Sequence, residues 1–212
     1  GIIGFTGFLV KENLDADTRD EYKNIIQSNS KQLLRIIDDI IEISRLGTTK
    51  INLYKKEISL NKLLKQLKKE FEPKAREKGL DVYLSCTLPD NESILTTDEY
   101  KLTKILDNII ENAIKFTHNG YIKIGYKPGN QHIHIYIKDT GPGISPKNQK
   151  KIFKPFAQAI KPTGNYGGLG LGLSIARENA ALINGEITLK SQEGEGSTFK
   201  LTLPFTPESE TI

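Results

Sequence analysis

Between Thr18 and Leu46 the apolar residues Tyr22, Ile25, Ile26, Leu33, Ile36, Ile37, Ile40, Ile41 and Ile43 recur mostly at steps of three and four. That period predicts one long amphipathic helix, and Asp15 and Asp17 stand where its N-cap belongs. Upstream, Ile2, Ile3, Phe5, Leu9 and Val10 give a shorter helix, from Gly1 to about Asn13, an apolar face of its own. Two helices cannot bury such a stripe alone. The spacing therefore predicts an antiparallel hairpin that either pairs with a second copy into a four-helix bundle or packs on the rest of the chain.

Composition removes several classes of function. At 37% hydrophobic, with 30 basic and 26 acidic residues among 212, the chain is ordinary globular material. No apolar run approaches the roughly 20 residues of a membrane span, and no signal-peptide pattern is present. One cysteine excludes a disulfide framework and a cysteine-rich zinc site. Cys86 is in phase with Leu80, Val82 and Leu84, which predicts a buried strand position. The net charge of +4 does not point to nucleic acid. The basic set is 25 Lys and 5 Arg spread along the chain, whereas base-edge readout favours Arg. There is no Met, so the chain is expected to be a piece of a longer protein.

The remaining elements are mixed. Residues 47–52 read as a linker, 53–206 as a second domain and 207–212 as a tail. Leu53–Ser59 reads as a strand. Leu60–Lys78 reads as a helix that Pro73 should kink or split. Leu80–Thr87 alternates as a strand. Asp98 caps a helix reaching Phe116, with Leu102, Ile105, Leu106, Ile109, Ala113 and Phe116 as its core face. Strands at Tyr121–Tyr126 and His132–Lys138 flank a Pro-Gly turn. A helix over Leu171–Ile183 precedes a hairpin of Glu186–Ser191 and Thr198–Leu203. The expected fold is α+β: a helical hairpin followed by an α/β sandwich with one mixed sheet covered by helices.

Three constellations carry chemistry. Asn108, Asn112 and Lys115 fall at i, i+4 and i+7, on one helix face. Asn is a weak helix former, and solvated faces usually carry Glu, Lys or Gln. Neutral amide oxygens can ligate Mg²⁺ and a Lys can meet a phosphate, though a solvated stripe would look the same. Asp139-Thr-Gly-Pro-Gly143 sets a carboxylate beside bare backbone, which selects an exocyclic amine over a carbonyl; an ordinary turn would use the same residues. Tyr166-Gly-Gly-Leu-Gly-Leu-Gly172 frees the backbone for an anion at a helix start, or serves as a hinge. It is neither a P-loop nor a good dinucleotide fingerprint.

In this order and spacing the three resemble the ATP-binding region of sensor histidine kinases, in the wider class with gyrase, Hsp90 and MutL. Asn108-Ile-Ile-Glu-Asn-Ala-Ile-Lys-Phe-Thr117 is similar to the N box and Asp139-Thr-Gly-Pro-Gly-Ile144 to the G1 box. Phe153-Lys-Pro-Phe156 resembles the F box, Gly167-Gly-Leu-Gly-Leu-Gly-Leu173 the G2 box, and Gly196-Ser-Thr-Phe199 the closing motif beside adenine. Residues 1–46 resemble the dimerisation and phosphotransfer helices.

The resemblance implies roles. Asn112 ligates Mg²⁺, with Asn108 supporting the same end and Lys115 meeting phosphate oxygens. Asp139 binds the adenine amino group, with Gly141, Gly143 and Thr198 around the base. Tyr166, Gly168, Gly170, Leu171 and Gly172 belong to a lid that closes on the phosphates, and Phe153 and Phe156 anchor its near end. The implied cofactors are ATP and Mg²⁺. The implied activity is transfer of the γ-phosphoryl group to a histidine and onward to a response-regulator receiver domain. The implied setting is a homodimer, cytoplasmic as a domain, in a membrane-associated parent. The pattern departs in two places. The lid is about one residue short and lacks the Arg before its aromatic, leaving Lys161 as a substitute. The phosphorylated His and its acidic neighbour are absent, so the chain is expected to bind ATP without phosphorylating itself. A gyrase-type ATPase is disfavoured because Asn108 stands where those relatives carry a water-activating Glu, and a scaffold with a vestigial site is the non-enzymatic alternative.

Overall fold

The computed structural model describes residues 2–10, 14–46, 51–157 and 169–205, in two compact units, Gly1–Thr49 and Lys50–Ile212. In the first, helices α1 (Ile2–Leu9) and α2 (Ala16–Leu46) form the expected pair. Asp15 is the cap: its carboxylate accepts from the Thr18 N–H at 2.8 Å and from the Thr18 hydroxyl at 2.7 Å. Phe5, Phe8 and Tyr22 join the helices, with ring centroids 5.3 to 6.2 Å apart. At 1.5 Å per residue α1 is about 12 Å long and α2 about 46 Å, so α1 covers only the start of its neighbour. Leu33, Leu34, Ile37, Ile40 and Ile41 remain 43 to 62% exposed.

The second unit begins with strand β1 (Lys55–Ser59) and helix α3 (Leu60–Arg76). The Ser59 hydroxyl caps α3 by accepting from the Lys62 N–H, and Leu60, Leu63, Leu64, Leu67, Phe71 and Ala75 are buried at steps of three and four. Pro73 does not split the helix, which runs through it from Leu60 to Arg76. It sits on the exposed side, where the Lys69 carbonyl it strands can turn to water. Strand β2 spans Asp81–Ser85. Cys86 falls just outside it and is only half-buried, which corrects the expected buried strand position.

Strand β3 (Ile94–Asp98), unforeseen from the pattern, pairs antiparallel with β1 as a separate ribbon. Helix α4 (Glu99–Phe116) follows at once, with the Asp98 carboxylate accepting from the Lys101 N–H at 3.1 Å. Its other oxygen accepts from the Tyr54 N–H at 2.9 Å, so one side chain ties the entry of α4 to the chain ahead of β1. Strands β4 (Tyr121–Pro128) and β5 (His132–Asp139) lead to the short helix α5 (Pro146–Gln149), and α6 (Gly172–Leu182) precedes β6 (Glu186–Gln192) and β7 (Gly196–Pro204). The five-stranded sheet has the order β2-β4-β5-β7-β6, with only the β2–β4 pair parallel.

Strand alternation sets the layers. Ile122, Ile124, Ile133, Ile135, Ile137, Phe199, Leu201 and Leu203 point inward and join α3, α4 and α6 in one core. Phe116, expected in that core, is 38% exposed because α4 ends there. The hairpin plus mixed sheet matches the expected fold class, and the ribbon β1–β3 adds to it.

Candidate functional site

Helix α4 forms the back wall of the site. Its buried residues Leu102, Ile105, Leu106, Ile109 and Ala113 hold one face in the core, which leaves Asn108, Asn112 and Lys115 half-buried on another. The Asn108 amide nitrogen donates to the Lys104 carbonyl at 2.9 Å, and the Asn112 nitrogen donates to the Asn108 carbonyl at 2.8 Å. Only the nitrogen can donate to a carbonyl, so the two side-chain oxygens are the ends left over. Neither oxygen meets a protein donor among the described residues. The pair therefore offers two neutral acceptors one helical turn apart, the oxygen-rich environment a hard cation takes.

The start of α6 closes on this wall. A Cβ at Gly172 would stand 2.6 Å from the Asn108 side-chain oxygen, so only glycine allows the approach. Among the described residues no side chain caps α6, and N–H groups at such a helix start suit an anion or water. Gly170 has φ +72°, and a Cβ there would fall 2.5 Å from the Ala157 carbonyl oxygen, so the chain on either side of residues 158–168 meets at that point. Leu171 is buried at 2% exposure. Its side chain belongs to the core, and only its backbone can contribute to a lid. Tyr166 and Gly168 lie outside the described residues.

At the other end of the wall β5 delivers Asp139, 6% exposed. One carboxylate oxygen accepts from the Gly141 N–H at 2.9 Å and the Ser197 N–H at 3.2 Å. Burial raises the carboxyl above its ordinary value, and the two N–H donors only partly offset this. The second oxygen has no protein partner among the described residues and is the acceptor a ligand amine would meet. Gly141 sits where a Cβ would be 2.9 Å from the Asp139 oxygen and 3.3 Å from both the Phe116 carbonyl and the Thr117 hydroxyl. That contact joins the Asp139 turn to the end of α4. Asn108 and Thr117 are nine residues apart, about 13 Å along the helix axis, and the three motifs meet α4 within that length.

Several expected site residues sit differently. Gly143, at φ +70°, abuts the Gln192 backbone and packs the turn against the end of β6. Thr198 pairs with Lys138 and Lys190, on the opposite sheet face from Asp139. Ser197 occupies the Asp139 side, and its hydroxyl meets that of Ser191 at 3.0 Å. Ser191 in turn accepts from the Ile144 N–H at 2.8 Å, which fastens the Asp139 turn to the closing hairpin. The parity was readable: counting back by two from Phe199, a core residue, reaches Ser197. Phe153 is half-buried edge-on to Phe199 at 6.3 Å, with the Arg177 guanidinium over its ring. Phe156 is 66% exposed at φ +63°, so the two aromatics do not form one anchor.

Lys115 is half-buried, its ammonium 4.9 Å from the Phe116 ring, and desolvation and then neighbouring Lys78 lower its proton affinity. Lys78 donates to the Ile114 and Lys115 carbonyls at 3.0 and 3.2 Å, so a second cation holds the C-terminus of α4. A shallow hollow of about 450 Å³ lined by Tyr54, Asp98, Glu99 and Tyr100 contains none of the motif residues.

Comparison with known proteins supplies the family. Residues 97–207, just over half of the chain, match the family described as histidine kinase-, DNA gyrase B-, and HSP90-like ATPase. The chain belongs to that family. Within this ATPase family it resembles sensor kinases. Autoinducer 2 sensor kinase/phosphatase LuxQ of Vibrio parahaemolyticus is 31% identical over 96% of the chain, which spans 24% of that relative. The chain thus covers a quarter or less of the length of the curated relatives it matches. Full-length ShkA in complex with AMPPNP is 28% identical with a TM-score of 0.78, over 97% of this chain and 42% of that one. The histidine kinase ThkA in complex with the response regulator TrrA is 28% identical with a TM-score of 0.71, over 99% of this chain and 58% of that one. No helix among the described residues is long and apolar enough to cross a membrane.

Proposed function

We propose that the second unit binds ATP with Mg²⁺ along α4 and serves as the nucleotide-binding catalytic part of a protein histidine kinase. The observation that carries this reading is the pair of anchored amides. Asn108 and Asn112 present oxygens on the face that Gly172 approaches, while Asp139 keeps an unpaired carboxylate oxygen at the other end of the wall. Adenine would lie at Asp139, beside Gly141 and Ser197. The phosphates would lie between Asn112, Lys115 and the start of α6. Mg²⁺, when bound, would neutralise phosphate charge, with Asn112 as a ligand and Asn108 beside it.

The reaction proposed is transfer of the γ-phosphoryl group to a histidine nitrogen, with ADP as the leaving group, and then to a receiver-domain aspartate. Catalysis in such transfers is mostly positioning and charge neutralisation. Asn108 fits transfer rather than hydrolysis, because an amide whose nitrogen is engaged with the Lys104 carbonyl cannot take a proton from water. Homodimerisation through α1 and α2, a cytoplasmic site of action and a membrane-associated parent are part of the same proposal. The bare α2 stripe supports the homodimer.

Titration of the chain with ATP, ADP and GTP, with and without Mg²⁺, tests the reading. Binding of adenine over guanine nucleotides, tightened by Mg²⁺ for ATP, is expected. Absence of nucleotide binding by the folded chain would overturn it.

A further inference from the structure

The outward face of the five-stranded sheet has no part in the nucleotide reading. It carries Lys123, Lys127, Lys138, Lys190 and Lys200, against only Asp81 and Glu186 on the two edge strands. Lys123 pairs with Lys138 directly across β4 and β5, Lys138 pairs with Thr198 of β7, and Thr198 pairs with Lys190 of β6. Three lysines thus form one row across four strands, which are spaced about 4.8 Å apart. Like charges placed opposite one another in a sheet destabilise it. None of the five lysines makes an ion pair with a described residue. Burial and then Lys200 and His132 lower the proton affinity of His134 on the same face.

The composition of the face narrows the occupant. It has no Arg, so it lacks the planar forks that read bases or clamp phosphates in a fixed orientation. Tyr83 and Tyr121 meet each other edge-on at 5.6 Å, and Tyr136 lies against Gly125, where a Cβ would be 2.7 Å from its hydroxyl. Tyr121 lies under the Lys138 ammonium and Tyr136 against Gly125, which leaves Tyr83, 51% exposed, as one ring where a series of stacking platforms is needed to hold successive bases. The aliphatic residues of these strands point into the core, so the face has no Leu, Phe or Trp to enter a bilayer. What remains is a row of compact, flexible point charges suited to carboxylates on an extended chain.

We propose that this open sheet face is a docking surface for an acidic protein segment, laid across the strands along the Lys123–Lys138–Lys190 row. The segment would relieve the mutual repulsion of the row. It would also leave the nucleotide wall on the other side of the sheet free.

Fluorescein-labelled poly-L-glutamate of about 20 residues, titrated into the full 212-residue chain at low salt, is the probe. Binding by the native chain is expected. The triple variant K123A/K138A/K190A should lose at least about tenfold in affinity. Removing like charges should not impair its folding, which circular dichroism and the thermal midpoint monitor. A control, K55A/K62A/K69A, removes the same charge from β1 and α3 and should change affinity by less than about threefold. Equal losses in the two variants would show attraction to net charge alone and overturn the proposal. So would absence of binding, or tighter binding of oligo(dT) or phosphatidylserine vesicles through the same three lysines.

Discussion

Replacing Asp139 by Asn tests the adenine end of the site most directly. In the native chain one oxygen of Asp139 accepts from the Gly141 and Ser197 N–H groups, and the other is open. The Asn oxygen can keep both backbone donors, so the fold should be retained. The open position then becomes an amide N–H₂, which faces the donor amine of adenine with another donor. A charge-assisted bond is lost and a donor pair is created, a cost of about 1.5–3 kcal/mol. That is a loss of roughly 10- to 150-fold in affinity. Stability should change little or rise, because the variant removes a carboxyl that burial already disfavours as an anion. Isothermal titration with ADP and GDP, beside thermal melts, reads both quantities. Unchanged ADP affinity in a variant that melts like the native chain would remove Asp139 from the site. A preserved preference for adenine over guanine would do the same.

Asn112→Ala should abolish most of the Mg²⁺-dependent gain in ATP binding and spare the Mg²⁺-free part; equal losses in both titrations would mean it acts through folding. Thr198→Ala should leave ADP affinity within about twofold, since its side chain lies on the other sheet face; a large loss would contradict the strand parity. Asp107, between Glu70 and Glu111 on α3 and α4, has its carboxyl pushed up to about 6 by burial and then by those neighbours. A raised carboxyl costs stability once ionised, so the native chain should gain stability as pH falls from about 6 towards 4. Asp107→Asn should therefore be more stable than the native chain at pH 8, by about 1 kcal/mol after solvent screening, with the gap closing below pH 6. Urea melts across pH would show a constant gap if the reasoning fails. Ile37→Glu with Ile40→Glu should weaken self-association at least tenfold, as two exposed isoleucines would contribute about 1.5–3 kcal/mol each when buried. Sedimentation equilibrium checks this, and a native chain that stays monomeric would remove α2 as an interface.

Much of the site could be read from spacing because helices advertise themselves. The i, i+4, i+7 relation of Asn108, Asn112 and Lys115 survives into the structure, as does the strand that ends at Asp139. What the motifs did not carry was which way their strand residues face. Ser197 and Thr198 are adjacent and chemically alike, and strand alternation counted from Phe199 separates them, in agreement with the pairing of Ser197 with Asp139. Strand β3 escaped notice because Ile94–Asp98 is five residues whose second member alone is both aliphatic and fully buried. Leu171 and Gly143 sit inside motifs, yet one fills the core and the other lets two backbones touch. A motif marks a region and does not divide its members between ligand contact and packing.

The anchoring of the two amides has a consequence for which residues α4 can tolerate. Divalent cations ordinarily favour carboxylates, so an Asn→Asp exchange at 108 or 112 looks like an improvement on charge alone. Here it would not be, because an aspartate has no N–H to give the Lys104 or Asn108 carbonyl. The anion would be pushed off the backbone oxygen and would regain its rotamer freedom. Binding would then have to restrain it again. The asparagines trade charge for a fixed aim, with the entropy of orientation already settled when the helix folds.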